Sequence, residues 1–201
     1  MLLDKKNIIT SLDDIDEKEG KALVKLARAA IEEYLKEGKI IDLKEIPFES
    51  WKKLGASFIT LENKLSGNLR GCIGSIIPVQ PLYKDVIRNS IAAATQDPRF
   101  RPLSLFELPE TRIKVSILSY PKPIQYEDPK DLLNKIEPMK DGLILRYKNF
   151  QGTFLPDVWE DLPDKTLFLS NLCLKANLPA DCWINLPVEV YKYRTKVFSE
   201  D

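Results

Sequence analysis

The sequence predicts an α+β fold: a mixed, largely antiparallel sheet with flanking helices. Apolar residues recur at helical spacing over 16–37 and 81–94 and alternate at strand spacing over 112–118, so both periods are present. Helices and strands are interspersed without the regular strand–helix–strand rhythm of a parallel sheet. With 201 residues and 44% hydrophobic side chains, the chain can bury a core as one domain, either undivided or with two lobes.

The elements follow in order. Over 16–37, Leu23, Leu26, Ala27, Ala30, Ile31 and Tyr34 share one helical face, and Gly38 stops the helix. Residues 40–47 connect. ASFITL, 56–61, reads as a strand, ENKLSGN as a turn with Gly67 and Asn68 at positive φ, and 69–77 as the returning strand of a hairpin. Pro81 opens a second helix carrying Leu82, Val86, Ile87, Ser90, Ile91 and Ala94. DPRFRP is a loop, and Ser104 with Glu107 forms a capping-box pattern before Pro109. Ile113, Val115 and Ile117 alternate on a half-buried strand. The proline-rich PKPIQYEDP is a loop between lobes, and Asp128 with Pro129 starts a short helix to Ile136. GLILRY is a strand, KNFQG a turn and TFLP an extended piece. Asp164 caps a helix to Ala176 with Leu167, Phe168, Leu172 and Cys173 inward, and Asn177 takes the left-handed stop. A last strand, 188–198, carries Val190, Tyr191, Tyr193 and Val197.

Composition excludes several chemistries. The chain has no histidine, which removes Ser-His-Asp and Cys-His machinery and the HExxH metal sites. Its three cysteines contain no CxxC pair, so no structural zinc site is expected, nor any other metal or cofactor. An odd cysteine count fits a secreted disulfide framework poorly. The N-terminal MLLDKKNIIT is too short and too charged for a signal peptide, and no window has the apolar length to span a bilayer. The expectation is a soluble cytoplasmic protein with free thiols and no membrane partner. Thirty basic residues balance thirty acidic ones, which removes the simplest case for a nucleic-acid partner.

The stretch NLRGCIGSI, 68–76, concentrates the chemistry. Glycine weakens a strand unless a bulge or a close approach requires it. Gly71 and Gly74 flank Cys72, leaving a thiol on a bare backbone, and Arg70 would share its face on an unbroken strand. From Arg70 to Phe106 there are five cations, Arg70, Lys84, Arg88, Arg99 and Arg101, against Asp85 and Asp97. The arginine fork suits carboxylate or phosphate. Arg99 serves either such a ligand or, with Asp97, the loop itself. Cys72 is either a reactive thiolate or a small packed side chain.

ASFITL, GNLRGCIGS, AAATQDPRFRPLS, IKVSIL, DGLIL, QGTFLPDVWEDLPDKTLFLSNLCLKA and VEVYKYRTKVFSE resemble the successive blocks of the AMMECR domain family over nearly the whole chain. The resemblance implies a single domain over 1–201, its larger and smaller lobes meeting near 119–129, with a cleft beside LRGCIG. It also implies a genomic association with Memo-like and radical-SAM proteins, and no established reaction. Where the family pattern reads LPQV this chain reads LPDV, so Asp157 replaces a neutral amide; KANL replaces KAGL.

Two functional readings follow. In the first, an accessory binding protein holds an anionic small molecule, peptide or modified nucleotide through Arg70, Gly71, Gly74, Arg99 and Phe154, for a Memo-like or radical-SAM partner. In the second, an enzyme uses the Cys72 thiolate with Asp157 or Glu160 as acid or base, in RNA or small-molecule modification. Phe150, Phe154 and Trp159 are either a cleft wall or core.

Overall fold

The computed structural model describes residues 8–201. Residues 1–7, part of the stretch read above as no signal peptide, lie outside the described residues. In chain order the helices are α1 (Glu17–Glu37), α2 (Glu49–Lys52), α3 (Leu82–Thr95), α4 (Pro129–Lys135), α5 (Lys165–Lys175) and α6 (Cys182–Asn185). The strands are β1 (Leu54–Gly55), β2 (Ser57–Asn63), β3 (Leu69–Gly74), β4 (Gln80–Pro81), β5 (Thr111–Leu118), β6 (Lys122–Pro123), β7 (Gly142–Tyr147), β8 (Phe150–Phe154), β9 (Glu189–Tyr193) and β10 (Thr195–Ser199). Helices with antiparallel sheets make this α+β. The chain divides into two compact units, one holding residues up to Tyr120 together with Lys196–Asp201, the other Pro121–Thr195.

In the first unit the sheet runs β10-β5-β2-β3, so β3 is an edge strand. Asp16 starts α1 by accepting the Glu19 N–H at 2.8 Å, and Gly38 ends it at φ 66°. Leu23 and Ile31 of α1, Val86 and Ile91 of α3, Ile59 and Leu61 of β2, and Ile113, Val115 and Ile117 of β5 form one buried cluster. The alternate residues of β2 and β5 (Thr60, Glu62, Arg112, Lys114 and Ser116) give the sheet a polar second face, because side chains alternate along a strand.

In the second unit the sheet runs β6-β9-β7-β8. Leu143, Leu145 and Val190 pack with Phe168 and Leu172 of α5, and Trp159 stacks on Phe168 at 3.6 Å between centroids. Burial of the Trp159 indole is matched by a hydrogen bond from its Nε1 to the Asp141 carbonyl at 2.7 Å.

Several expectations are corrected. The predicted last strand is two strands in two sheets, broken at Arg194, which donates to Glu137 at 2.9 Å. Leu167 is 56% exposed rather than inward. Positive φ at the first hairpin belongs to Gly67 (71°) and not to Asn68. The second hairpin strand stops at Gly74, short of 77. The free-thiol expectation fails at Cys173 and Cys182, which form a disulfide joining α5 to α6. Cys72 stands outside that bond.

Candidate functional site at the LRGCIG strand edge

LRGCIG is β3 itself. Its pairing with β2 runs Gly74 opposite Phe58, Cys72 opposite Thr60 and Gly71 opposite Leu61, then slips so that Leu69 faces Glu62. Arg70 is the extra residue of this bulge. The unbroken strand that would place Arg70 and Cys72 on one face is therefore absent. Arg70 instead donates from Nε to Glu107 at 3.2 Å, and its guanidinium lies 5.9 Å from the Phe100 ring. Only 19% of the Arg70 side chain is exposed.

The glycines make room for the protein's own atoms. A Cβ on Gly71 would sit 2.3 Å from the carbonyl oxygen of Ala93, so a side chain there would push α3 off the sheet. A Cβ on Gly74 would lie 2.3 Å from the Phe58 ring and 2.5 Å from the Ser57 carbonyl. The bareness read from sequence as an opening is, at these two positions, a packing contact.

An edge strand exposes unpaired backbone groups, and the DPRF loop covers this one with side chains. Asp97, 4% exposed, accepts the Cys72 N–H at 2.8 Å, and Arg99 Nη2 reaches the Cys72 carbonyl at 3.5 Å. Carboxylate and guanidinium thus take the places of the next strand's C=O and N–H. They also bind each other, with Arg99 Nη2 at 2.7 Å from Asp97 Oδ2 and Nε at 3.0 Å from Oδ1. This hydrogen bond from Arg99, helped by the Cys72 and Arg99 backbone N–H groups, pulls the Asp97 carboxyl down to about 2 despite its burial. Glu107 is lowered too, first by the Ser104 N–H that closes the capping box and then by Arg70. The Arg99 guanidinium also lies 5.4 Å from the Phe100 ring and is raised by its hydrogen bond to Asp97. Thr60 Oγ1 stands 3.5 Å from Cys72 Sγ.

Two donors near this edge are unmet. Arg70 Nη1 and Arg112 Nε are shut off from solvent and make no hydrogen bond. Arg112 of β5 stands opposite Glu62 in the strand register, Arg70 bulges beside Glu62 from β3, and the Glu62 carboxylate itself accepts from Lys114 at 2.6 Å. The Arg70 and Arg112 Cα atoms are two strand spacings apart, about 10 Å.

Phe154 and Asp157 belong to the second unit. Phe154 meets Phe168 edge-on at 5.2 Å and carries Lys175 Nζ 4.9 Å from its ring centre. Asp157 is exposed in a short 3-10 turn, Pro156–Glu160, as is Glu160. Trp159 is core, and Phe150 is 44% exposed.

The pattern that defines the AMMECR1 family matches residues 24–198. The chain belongs to the AMMECR1 family. A protein of Methanothermobacter thermautotrophicus is 41% identical over 184 residues, 91% of this chain and 95% of its own length. A protein of Thermococcus gammatolerans is 40% identical over 191 residues, 90% of each chain. The crystal structure of the uncharacterized protein PH0010 from Pyrococcus horikoshii superposes with a TM-score of 0.87 at 39% identity, covering 94% of both chains.

Sequence reasoning missed a polar cluster in this AMMECR1-family chain, directly after LRGCIG. Asp85, 1% exposed, accepts the Ser57 N–H (2.8 Å), the Ser57 hydroxyl (2.7 Å) and Asn89 Nδ2 (2.9 Å) on Oδ2. Its Oδ1 accepts Ser75 Oγ at 2.5 Å and Gln80 Nε2 at 3.1 Å. Five neutral donors thus hold a buried carboxylate and pin the end of β3 to the first turns of α3. A signal existed: Asp85 and Asn89 share a helical face with Leu82, Val86 and Ala93, all buried. No helix among the described residues is long and apolar enough to cross a membrane, and they contain no cluster of three or more potential metal ligands.

Proposed function

We propose that the chain is a binding protein that holds an anionic ligand, a carboxylate or phosphate, on its first unit beside LRGCIG, with Arg70 and Arg112 as donors. The observation that carries this reading is the pair of unmet guanidinium N–H groups flanking Glu62. A buried donor without an acceptor costs about 1–3 kcal/mol and a charged one more, and an anion would supply the acceptor. Arg99 and Gly71 belong to this site as its frame, through the covered strand edge and the seating of α3. An accessory role beside a Memo-like or radical-SAM partner fits a binder that has no histidine and carries no dinucleotide or phosphate-loop motif.

Calorimetric titration with inorganic phosphate, sulfate and citrate tests the reading. Binding of at least one, weakened about tenfold by Arg112→Gln and by Arg70→Gln, is the expected result. Equal affinity in wild type and both variants, or no binding of any of the three, refutes it.

A further inference from the structure

A second surface of the first unit has the makings of a ligand site that owes nothing to LRGCIG. A groove of about 580 Å³ runs along the outer face of α3, between it and the connector after α1. Neither Arg70, Cys72 nor Arg99 lines it. Its volume falls within the range of small-molecule sites, about 300–1,000 Å³.

The walls are of two kinds. Ile41, Ile87 and Ile91 with the rings of Tyr34 and Tyr83 supply an apolar floor, and Ile40 stands 68% exposed at the rim. Lys84 and Arg88 lie one helical turn apart and both are exposed. Asp42 is the groove's acid, leaving two cations to one carboxylate. Arg88 makes no ion pair among the described residues, whereas Arg70 and Arg99 are both paired. Gln80 is fixed in the wall by its hydrogen bond to the buried Asp85, so that part of the groove is held in place before anything enters.

We infer that this groove binds an organic anion: a flat or branched apolar body against Tyr34, Ile87 and Ile91, with its carboxylate or phosphate on Arg88 and Lys84. Charge complementarity beside the groove's apolar lining favours such an occupant. A neutral body would leave the cations unused, and an inorganic anion would leave the floor wet.

The probes are 1-naphthoate and 1-naphthyl phosphate, with 1-naphthalenemethanol as the neutral control. Calorimetry gives the affinity, and amide shifts in a two-dimensional NMR spectrum give the place. The expected result is that at least one anion binds, with shifts concentrated in 34–42 and 80–96. The neutral probe then binds about tenfold more weakly. Arg88→Gln, at an exposed position, leaves the unfolding temperature unchanged and weakens the anion about tenfold, and Arg112→Gln leaves this affinity unchanged. Preference for the carboxylate or the phosphate identifies the head group. The inference is overturned by binding of neither anion, by equal binding of the neutral probe, by shifts lying elsewhere, or by full affinity in Arg88→Gln. Loss of phosphate binding in Arg112→Gln with naphthoate retained would leave the strand-edge reading standing separately, so the two sites fail or survive independently.

Discussion

Asp97 is where the strand edge is most open to measurement. Its carboxylate accepts the Cys72 N–H, the Arg99 backbone N–H and the Arg99 Nε and Nη2 donors, while it is itself 4% exposed. Its pKa is about 2 in the fold against an ordinary 3.8. Since the folded value is the lower one, charge on Asp97 stabilises the fold. The contribution, about 2 kcal/mol, is complete above pH ~4 and is lost as pH falls toward ~2. Asp97→Ala removes it and also leaves the Cys72 N–H unmet, for a combined cost of about 3 kcal/mol at neutral pH. In a chain of this length that corresponds to a melting temperature lower by about 10 °C. Thermal unfolding of wild type and variant at neutral pH and near pH 3, together with hydrogen exchange at the Cys72 amide, reads each part. The stability gap should narrow in acid, and the Cys72 amide should lose protection in the variant. Equal Cys72 protection in both proteins, or a gap that does not change with pH, would refute the picture of a side chain standing in for a strand.

Gly71→Ala should destabilise the first unit by about 3 kcal/mol, because the new Cβ meets the Ala93 carbonyl and not a movable side chain; urea unfolding monitored at Trp51 measures it. Asp85→Asn should cost about as much, since the amide nitrogen turns one acceptor into a donor facing donors; the same unfolding curve checks it, and a loss below about 1 kcal/mol would mean the cluster rearranges freely. Reducing the Cys173–Cys182 bond, which closes a loop of sequence separation 9, should lower the stability of the second unit by about 2.5 kcal/mol. Thiol counting under denaturing conditions should give one reactive group before reduction and three after.

Local physics made the four longer helices legible, whereas the four-residue α2 and α6 went unread. The caps at Asp16 and Asp164 and the stops at Gly38 and Asn177 are short-range, and each stands where its residue type demands. Pairing within the β2–β3 hairpin was legible, but the other pairing partners are long-range, and there the sequence was mute. Residues 188–198 alternate as one strand, and only the two sheets awaiting them explain why they split at Arg194. Cysteine spacing likewise carried no hint that Cys173 and Cys182 would meet, because the α5–α6 turn brings them together. At the site, the unusual glycines were visible but their reason was not. Sparse side chains announce a close approach without saying whether the visitor is a ligand or a helix, and here the visitors at those positions are α3 and Phe58. Arg70 was misplaced for a related reason: alternation assigns a face only where the register is unbroken, and the bulge falls on that residue.

The positive charge of 70–106 shows why counting along a chain locates function poorly. Its two acids, Asp85 and Asp97, subtract equally from the sum, yet they do different work. Asp97 neutralises Arg99, while Asp85 is satisfied by neutral donors and neutralises no cation. Glu107, just outside the stretch, takes Arg70. Among the described residues Lys84 and Arg88 of α3 and Arg101 of the loop after it make no ion pair, and all three are exposed. The LRGCIG neighbourhood therefore holds its positive charge mostly as internal glue, with two buried N–H groups to offer, whereas α3 displays its charge to solvent beside an apolar groove. Exposed charges are screened by salt and buried donors much less. A ligand drawn to α3 would thus feel ionic strength strongly and one seated between Arg70 and Arg112 weakly, a physical difference that separates the two sites even when both accept the same anion.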